Sequence, residues 1–145
     1  MTVYEFLEEK KLYECLNYFD SYFTPTLTER VKDLKTYTNK ISKYAKNYYI
    51  STEKGEIAGF VSFYCNDYKN KTAYLTLIAT NKKFKHKGIG KKLLNVCIEK
   101  CKENNMTILE LEVQKNNSIA MNFYIKNGFY TFRENDLSFF MKKEI

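Results

Sequence analysis

Apolar side chains recur along this chain with two periods, one suited to helices and one to strands. Over residues 8–19, Leu12, Cys15, Leu16 and Phe19 fall at helical spacing. After a turn at Thr24-Pro25-Thr26, the positions Val31, Leu34, Tyr37, Ile41 and Tyr44 keep that period and predict one helix over 27–45. Residues 48–52 alternate weakly, meet the turn Glu53-Lys54-Gly55-Glu56, and are followed by the β-branched and aromatic run 57–65. That is the pattern of a hairpin. Residues 74–80 read as a further strand. Residues 88–104 give the strongest helix, with Ile89, Leu93, Leu94, Cys97, Ile98 and Cys101 as its stripe. Over 107–114, Leu109, Leu111 and Val113 alternate with Glu110, Glu112 and Gln114. A short helix over 117–126 is stopped by Asn127-Gly128, and 129–132 and 137–141 read as two closing strands. Residues 3–7 suit either a strand or a helix. Helices and strands so mixed predict an α+β chain with one strand–helix–strand unit in its second half.

The length of 145 residues fits one domain over 1–145. No stretch approaches the ~20 apolar residues of a membrane span, and the first residues lack the basic start, apolar run and cleavage site of a signal peptide. The expectation is a cytoplasmic protein without a membrane partner. Cysteines at 15, 65, 97 and 101 have neither disulfide nor zinc spacing, and there is one histidine. They are expected to be buried free thiols, and no metal is expected.

The net charge of +7 invites a nucleic-acid partner. Yet lysine is spread throughout, and Arg30 and Arg133 are the only arginines, the residue best suited to phosphate forks and guanine edges. Nucleic acid is therefore not expected. The informative charge is local: residues 82–92 hold six lysines and His86 with no acidic residue. There the pattern runs strand, basic loop, helix. A helix start offers unpaired N–H groups and a positive dipole end, and Gly88 and Gly90 let backbone approach an anion. Neither a Walker loop nor Gly-x-Gly-x-x-Gly is present. A plain glycine loop before a solvated basic helix would leave the same residues.

Lys85-His86-Lys87-Gly88-Ile89-Gly90 resembles the [Arg/Gln]-x-x-Gly-x-[Gly/Ala] signature of the GNAT superfamily of N-acetyltransferases. Downstream, the run from Asn117 through Ala120, Phe123 and Tyr124 to Gly128-Phe129 is similar to that family's Asn-x-x-Ala-x-x-[Phe/Leu]-Tyr-x-x-x-Gly-Phe. The resemblance covers residues 48–143. It departs at Lys85, which serves a pyrophosphate as a point charge without the guanidinium fork.

The resemblance implies a GNAT-like α+β (mixed α/β) fold. Its centre would be a mixed, mostly antiparallel twisted sheet of six to seven strands flanked by about four helices. It implies acetyl-CoA as co-substrate. Backbone at Ile78, Ala79 and Thr80 would pair with the pantetheine arm, and Lys85, His86, Lys87, Gly88, Ile89, Gly90 and Lys91 would hold the pyrophosphate. Asn117 would contact the cofactor, a role compatible with capping its helix. Tyr124 would be the general acid for the leaving thiolate, and Glu112 the base that frees the attacking amine, with Glu110 in reserve. Packing of the Tyr124 ring and a solvated Glu112 are the plainer readings of the same residues. For His86 a backbone role in the loop outweighs catalysis.

No acyl-enzyme nucleophile set is apparent, so direct transfer to a primary amine is expected, on a small molecule, an amino sugar or a peptide. The resemblance implies an acceptor pocket built by residues 8–45 and 129–143, whose Tyr and Phe side chains, with Asp20, Glu29 and Asp33, would suit a cationic or amino-sugar amine. A homodimer is admitted but not required by the sequence. The alternative is a non-catalytic module of this fold that binds acyl-CoA.

Overall fold

In the computed structural model, which describes residues 1–145, the strands are β1 (Thr2–Glu5), β2 (Lys46–Ser51), β3 (Ile57–Asp67), β4 (Thr72–Thr80), β5 (Ile108–Gln114), β6 (Tyr130–Glu134) and β7 (Ser138–Glu144). They form one sheet in the order β1-β2-β3-β4-β5-β7-β6. The β4–β5 pair is parallel; β1–β2, β2–β3, β5–β7 and β6–β7 are antiparallel. The helices are α1 (Glu9–Tyr18), α2 (Leu27–Arg30), α3 (Leu34–Tyr44), α4 (Ile89–Glu103) and α5 (Ser118–Lys126). This is the mixed, mostly antiparallel α+β sheet expected, with seven strands. The chain parts into two compact units: residues 1–63 with 77–97, and residues 64–76 with 98–145.

In the first unit, β1 lies on β2 from Thr2↔Ser51 to Glu5↔Tyr48, which settles the ambiguous start of the chain as a strand. The predicted hairpin of β2 and β3 is present, with a register shift between Ile50 and Ser51. Helix α1 buries Leu12, Cys15 and Leu16, and Phe19 follows them into the core, its ring 5.3 Å from that of Phe60. A buried amide closes the layer behind α3. Asn47 donates through Nδ2 to the Ile41 carbonyl (2.9 Å) and accepts from Ser62 Oγ at Oδ1 (2.6 Å).

The single helix expected over 27–45 is two helices. Thr26 and Glu29 form a capping box that starts α2, and Val31 ends it in an extended conformation. Asp33 then starts α3 by accepting from the Thr36 N–H (3.3 Å) and hydroxyl (2.5 Å). Local side-chain bonds to backbone thus interrupt a continuous apolar period. As a result Leu34, Thr38 and Ile41 form the buried face of α3, while Tyr44 is exposed.

In the second unit, β5 pairs with β7 from Ile108↔Glu144 to Gln114↔Ser138, and β7 with β6. Residues 72–74 of β4 pair with 108–110 of β5. Leu109, Leu111 and Val113 are buried, as their alternation predicts. All four cysteines are free and buried, with Cys65 and Cys101 Sγ atoms 3.4 Å apart. No helix is long and apolar enough to cross a membrane.

Candidate functional site

The basic loop belongs to the first unit, and it is anchored at both ends. Asn81, 3% exposed, donates its N–H to the Ala58 carbonyl (2.8 Å) and its Nδ2 to the Ile57 carbonyl (3.2 Å). Its Oδ1 accepts from the Lys83 N–H (3.0 Å), starting a short 3₁₀ turn over Lys82–Phe84. Because the Asn81 N–H faces β3, strand alternation turns the backbone of Ala79 toward β3 as well. It turns that of Ile78 and Thr80 toward the opposite edge.

Gly59 lets this layer close. A Cβ there would lie 2.7 Å from the Ala79 carbonyl oxygen and 3.0 Å from both Ile89 Cγ2 and Leu93 Cδ1. A glycine inside a strand marks close approach of backbone, and here the approach is by the end of β4 and the first turns of α4.

Between these anchors residues 85–88 are exposed. His86 (φ 64°) and Gly88 (φ 74°) are both left-handed, and a Cβ on Gly88 would meet nothing within 4 Å. The cost of that φ, with open space around it, is what makes Gly88 a glycine. Helix α4 makes its first i→i−4 bond from the Lys92 N–H to the Gly88 carbonyl (3.0 Å), so the N–H groups before it have no helical acceptor.

The lysines around the loop divide. Lys83 is paired with Glu56 (2.9 Å), whose hydrogen bond and charge raise the ammonium pKa. Lys92 donates to the Met1 carbonyl (3.0 Å), and Lys82 lies 5.1 Å over the Tyr22 ring. Lys85 and Lys87 are exposed beside the left-handed turn, Lys87 5.9 Å from the Phe84 ring centroid. The loop presents a positively charged helix start to anions.

The remaining candidates lie in the second unit. Asn117 follows β5 and caps α5: its Oδ1 accepts from the Ala120 N–H at 3.1 Å. Helix α5 ends in a Schellman motif. The Phe129 N–H donates to the Tyr124 carbonyl and the Gly128 N–H to the Ile125 carbonyl, both at 3.0 Å, with Gly128 at φ 91°. Phe129 therefore belongs to the cap, and β6 starts at Tyr130. The cap folds the Phe129 ring to 5.5 Å from that of Tyr124, which Phe123 meets at 5.4 Å. Tyr124 is 6% exposed and held by aromatic edges.

Glu112 is exposed on the outer face of β5, where its Oε2 accepts from Ser138 Oγ at 2.7 Å. Ser138 is buried and fixed by the β6–β7 turn, since Asn135 Oδ1 accepts its N–H at 2.8 Å. Glu110 faces Lys142 across the β5–β7 ladder. The sequence reading missed Gly59, Asn81 and Ser138. Only Gly59 carried a signal, a glycine inside a strand pattern.

The carboxylates offered for an acceptor pocket are occupied otherwise. Asp20 accepts from the Thr28 N–H and hydroxyl (2.8 and 2.9 Å), Glu29 closes the capping box, and Asp33 caps α3. Hydrogen bonds from Thr26 and Thr36 hold the Glu29 and Asp33 carboxyls below the usual range.

Residues 12–129 match the model of the acetyltransferase (GNAT) family. Over 92 residues the chain is 32% identical to an uncharacterized N-acetyltransferase in the pepI 3′ region of Lactobacillus delbrueckii subsp. lactis, covering 60% of this chain and 53% of that protein. It thus spans about half the length of that curated relative. Its fold is similar to a GNAT-family acetyltransferase from Staphylococcus aureus MU50 (TM-score 0.77, 20% identity, 99% of this chain and 98% of that one). It is also similar to the PaiA N-acetyltransferase of Thermoplasma acidophilum in complex with coenzyme A (TM-score 0.74, 18% identity, 100% of each chain). The match of the family model over most of its length places this chain in the acetyltransferase (GNAT) family.

Proposed function

We propose that this chain is a single-domain N-acetyltransferase that moves the acetyl group of acetyl-CoA directly to a primary amine. The observation that carries the reading is the glycine turn at the start of α4. It has exposed lysines, open space above Gly88, and a first turn of α4 whose leading N–H groups have no helical acceptor. Those features suit a pyrophosphate. Lys85, His86, Lys87, Gly88, Ile89, Gly90 and Lys91 would hold it, mostly through backbone. Ile78 and Thr80 turn their backbone groups away from β3, as an added strand-like arm needs; Ala79 turns toward it. Asn117 is already an N-cap, which leaves its Nδ2 for a ligand.

In the transfer, the amine nitrogen forms its bond to the carbonyl carbon as the thioester C–S bond breaks. Glu112, or water held by it, takes the proton the nitrogen must lose, and the Tyr124 hydroxyl gives one to the departing sulfur. The net change is one amide and one thiol from one amine and one thioester. With four free thiols, the cytoplasm is the compartment this reading assigns.

The test has two parts. Coenzyme A should raise the melting temperature in a concentration-dependent way, as mass action requires of a ligand bound by the folded state alone. Tyr124→Phe keeps the ring between Phe123 and Phe129 and removes one oxygen. Turnover should fall by ~10²–10⁴-fold, while the dissociation constant of coenzyme A stays near its starting value. Binding without any amine-dependent turnover in the parent protein would identify a non-catalytic acyl-CoA module instead.

A further inference from the structure

The outer face of the second unit carries a row of three side chains, Glu112 and two that the transfer reaction alone does not account for. Register places Phe140 opposite Glu112 on one side and opposite Arg133 on the other. Partners directly across a ladder share a face, so Glu112, Phe140 and Arg133 stand side by side on β5, β7 and β6.

Arg133 reaches this row through an irregularity. The pairs Tyr130↔Lys142 and Thr131↔Met141 would continue with Phe132↔Phe140, but the register shifts between Thr131 and Arg133, and Arg133 takes the place opposite Phe140. A one-residue bulge transfers Arg133 from one face of β6 to the other; bulges re-aim side chains in this way. The guanidinium then lies 3.9 Å over the Phe140 ring and forms no ion pair. Across the ring, Glu112 has Oε2 fixed by Ser138 and no cation within ion-pair distance. An oriented cation and an oriented carboxylate thus flank one aromatic ring, on strands two spacings apart, ~10 Å at the backbone.

We propose that this row is an acceptor site for α-amino acids. The amine is taken by Glu112, the carboxylate by the fork of Arg133, and the side chain lies along Phe140. A zwitterion with its charges one carbon apart, plus a hydrogen bond of ~2.9 Å at each end, spans such a gap. A polyamine brings a second cation toward Arg133, and an amino sugar offers it only neutral hydroxyls in place of a charge-assisted carboxylate. This rests on the reading of the chain as an N-acetyltransferase with Glu112 at the amine.

The experiment measures release of coenzyme A from acetyl-CoA with a panel of L-amino acids, their carboxamides and spermidine. The expected result is at least one amino acid whose kcat/KM exceeds that of its carboxamide by about tenfold, the worth of one charge-assisted bidentate contact. In Arg133→Ala the ratio of acid to amide falls toward one, and Arg133→Lys restores part of it, since lysine keeps the charge and loses the fork. Arg133 is exposed, so an unchanged melting temperature verifies the fold of each variant. Turnover of carboxamides or spermidine equal to or above that of every amino acid overturns the acceptor assignment and leaves the acetyltransferase reading standing. So does an acid-to-amide ratio that Arg133→Ala does not change. Failure of coenzyme A to bind, with no amine turned over, overturns the acetyltransferase reading itself.

Discussion

Replacing Gly59 with alanine adds one methyl group at the point where β3, β4 and α4 come closest. The new carbon would sit 2.7 Å from the Ala79 carbonyl oxygen, a backbone atom, and 3.0 Å from the Ile89 and Leu93 side chains. Side-chain tips can rotate away, but the carbonyl can retreat only if β4 moves. Overpacking of this kind costs about 1–3 kcal/mol. Alanine also returns about 0.4–1 kcal/mol by narrowing the unfolded ensemble, since no left-handed φ is recorded at this glycine. The net expectation is a loss of about 1–2 kcal/mol, or roughly 3–8 °C in melting temperature for a chain of this size. The same displacement moves Ala79 and Ile89, the two ends of the span that carries the basic loop. Coenzyme A affinity should therefore fall in the folded variant by more than a remote substitution of equal stability cost would cause. Thermal unfolding followed by circular dichroism gives the first quantity and calorimetric titration with coenzyme A the second. A Gly59→Ala protein as stable as the parent would show that α4 does not need this closeness. A destabilised variant that binds coenzyme A with parental affinity would show that the loop does not depend on it.

Other expectations follow from particular contacts. His86→Gly should hold or raise the melting temperature, because glycine adopts φ 64° without the cost a side chain incurs; a fall of several degrees would mean the imidazole packs. Tyr130 donates to Glu144 at 2.6 Å, which raises the phenol pKa and lowers that of the carboxyl. The carboxyl's contribution is present above its ordinary pKa and lost as pH falls through the lowered one. The phenol's is present below its ordinary pKa and lost as pH rises through the raised one. Tyr130→Phe should thus reduce stability most in the plateau between, seen as a flatter plot of melting temperature against pH. Burial pushes the Cys15 thiol far up, and all four cysteines are free. A thiol-disulfide reagent should find none of them in the native protein and all four in denaturant.

Periodicity reveals what a face must bury, and on that basis α1, α4, β5 and the β2–β3 hairpin were readable from the chain. It says little about where hydrogen bonds override it. The break between α2 and α3 is written in Thr26-x-x-Glu29 and Asp33-x-x-Thr36, polar pairs inside a period that looks continuous. Glu29 and Asp33, offered by the sequence for an acceptor pocket, are engaged in those caps, and Asp20 accepts from Thr28. The bulge in β6 has no signature at all, since Phe132 and Arg133 suit a regular strand equally well; only the register to β7 shows which face Arg133 takes.

The second family motif teaches a different lesson. Tyr124, Gly128 and Phe129 stand at the spacing of a Schellman cap: Tyr124 at the position whose carbonyl is capped, Gly128 in the left-handed turn, Phe129 folded back onto the ring. The spacing of that motif is thus satisfied by helix termination alone, and leucine or phenylalanine at 124 would satisfy it as well. What the cap does not require is the phenolic oxygen. The structural part of the motif fixes the ring, and the hydroxyl is the one atom whose removal separates a helix end from an acid.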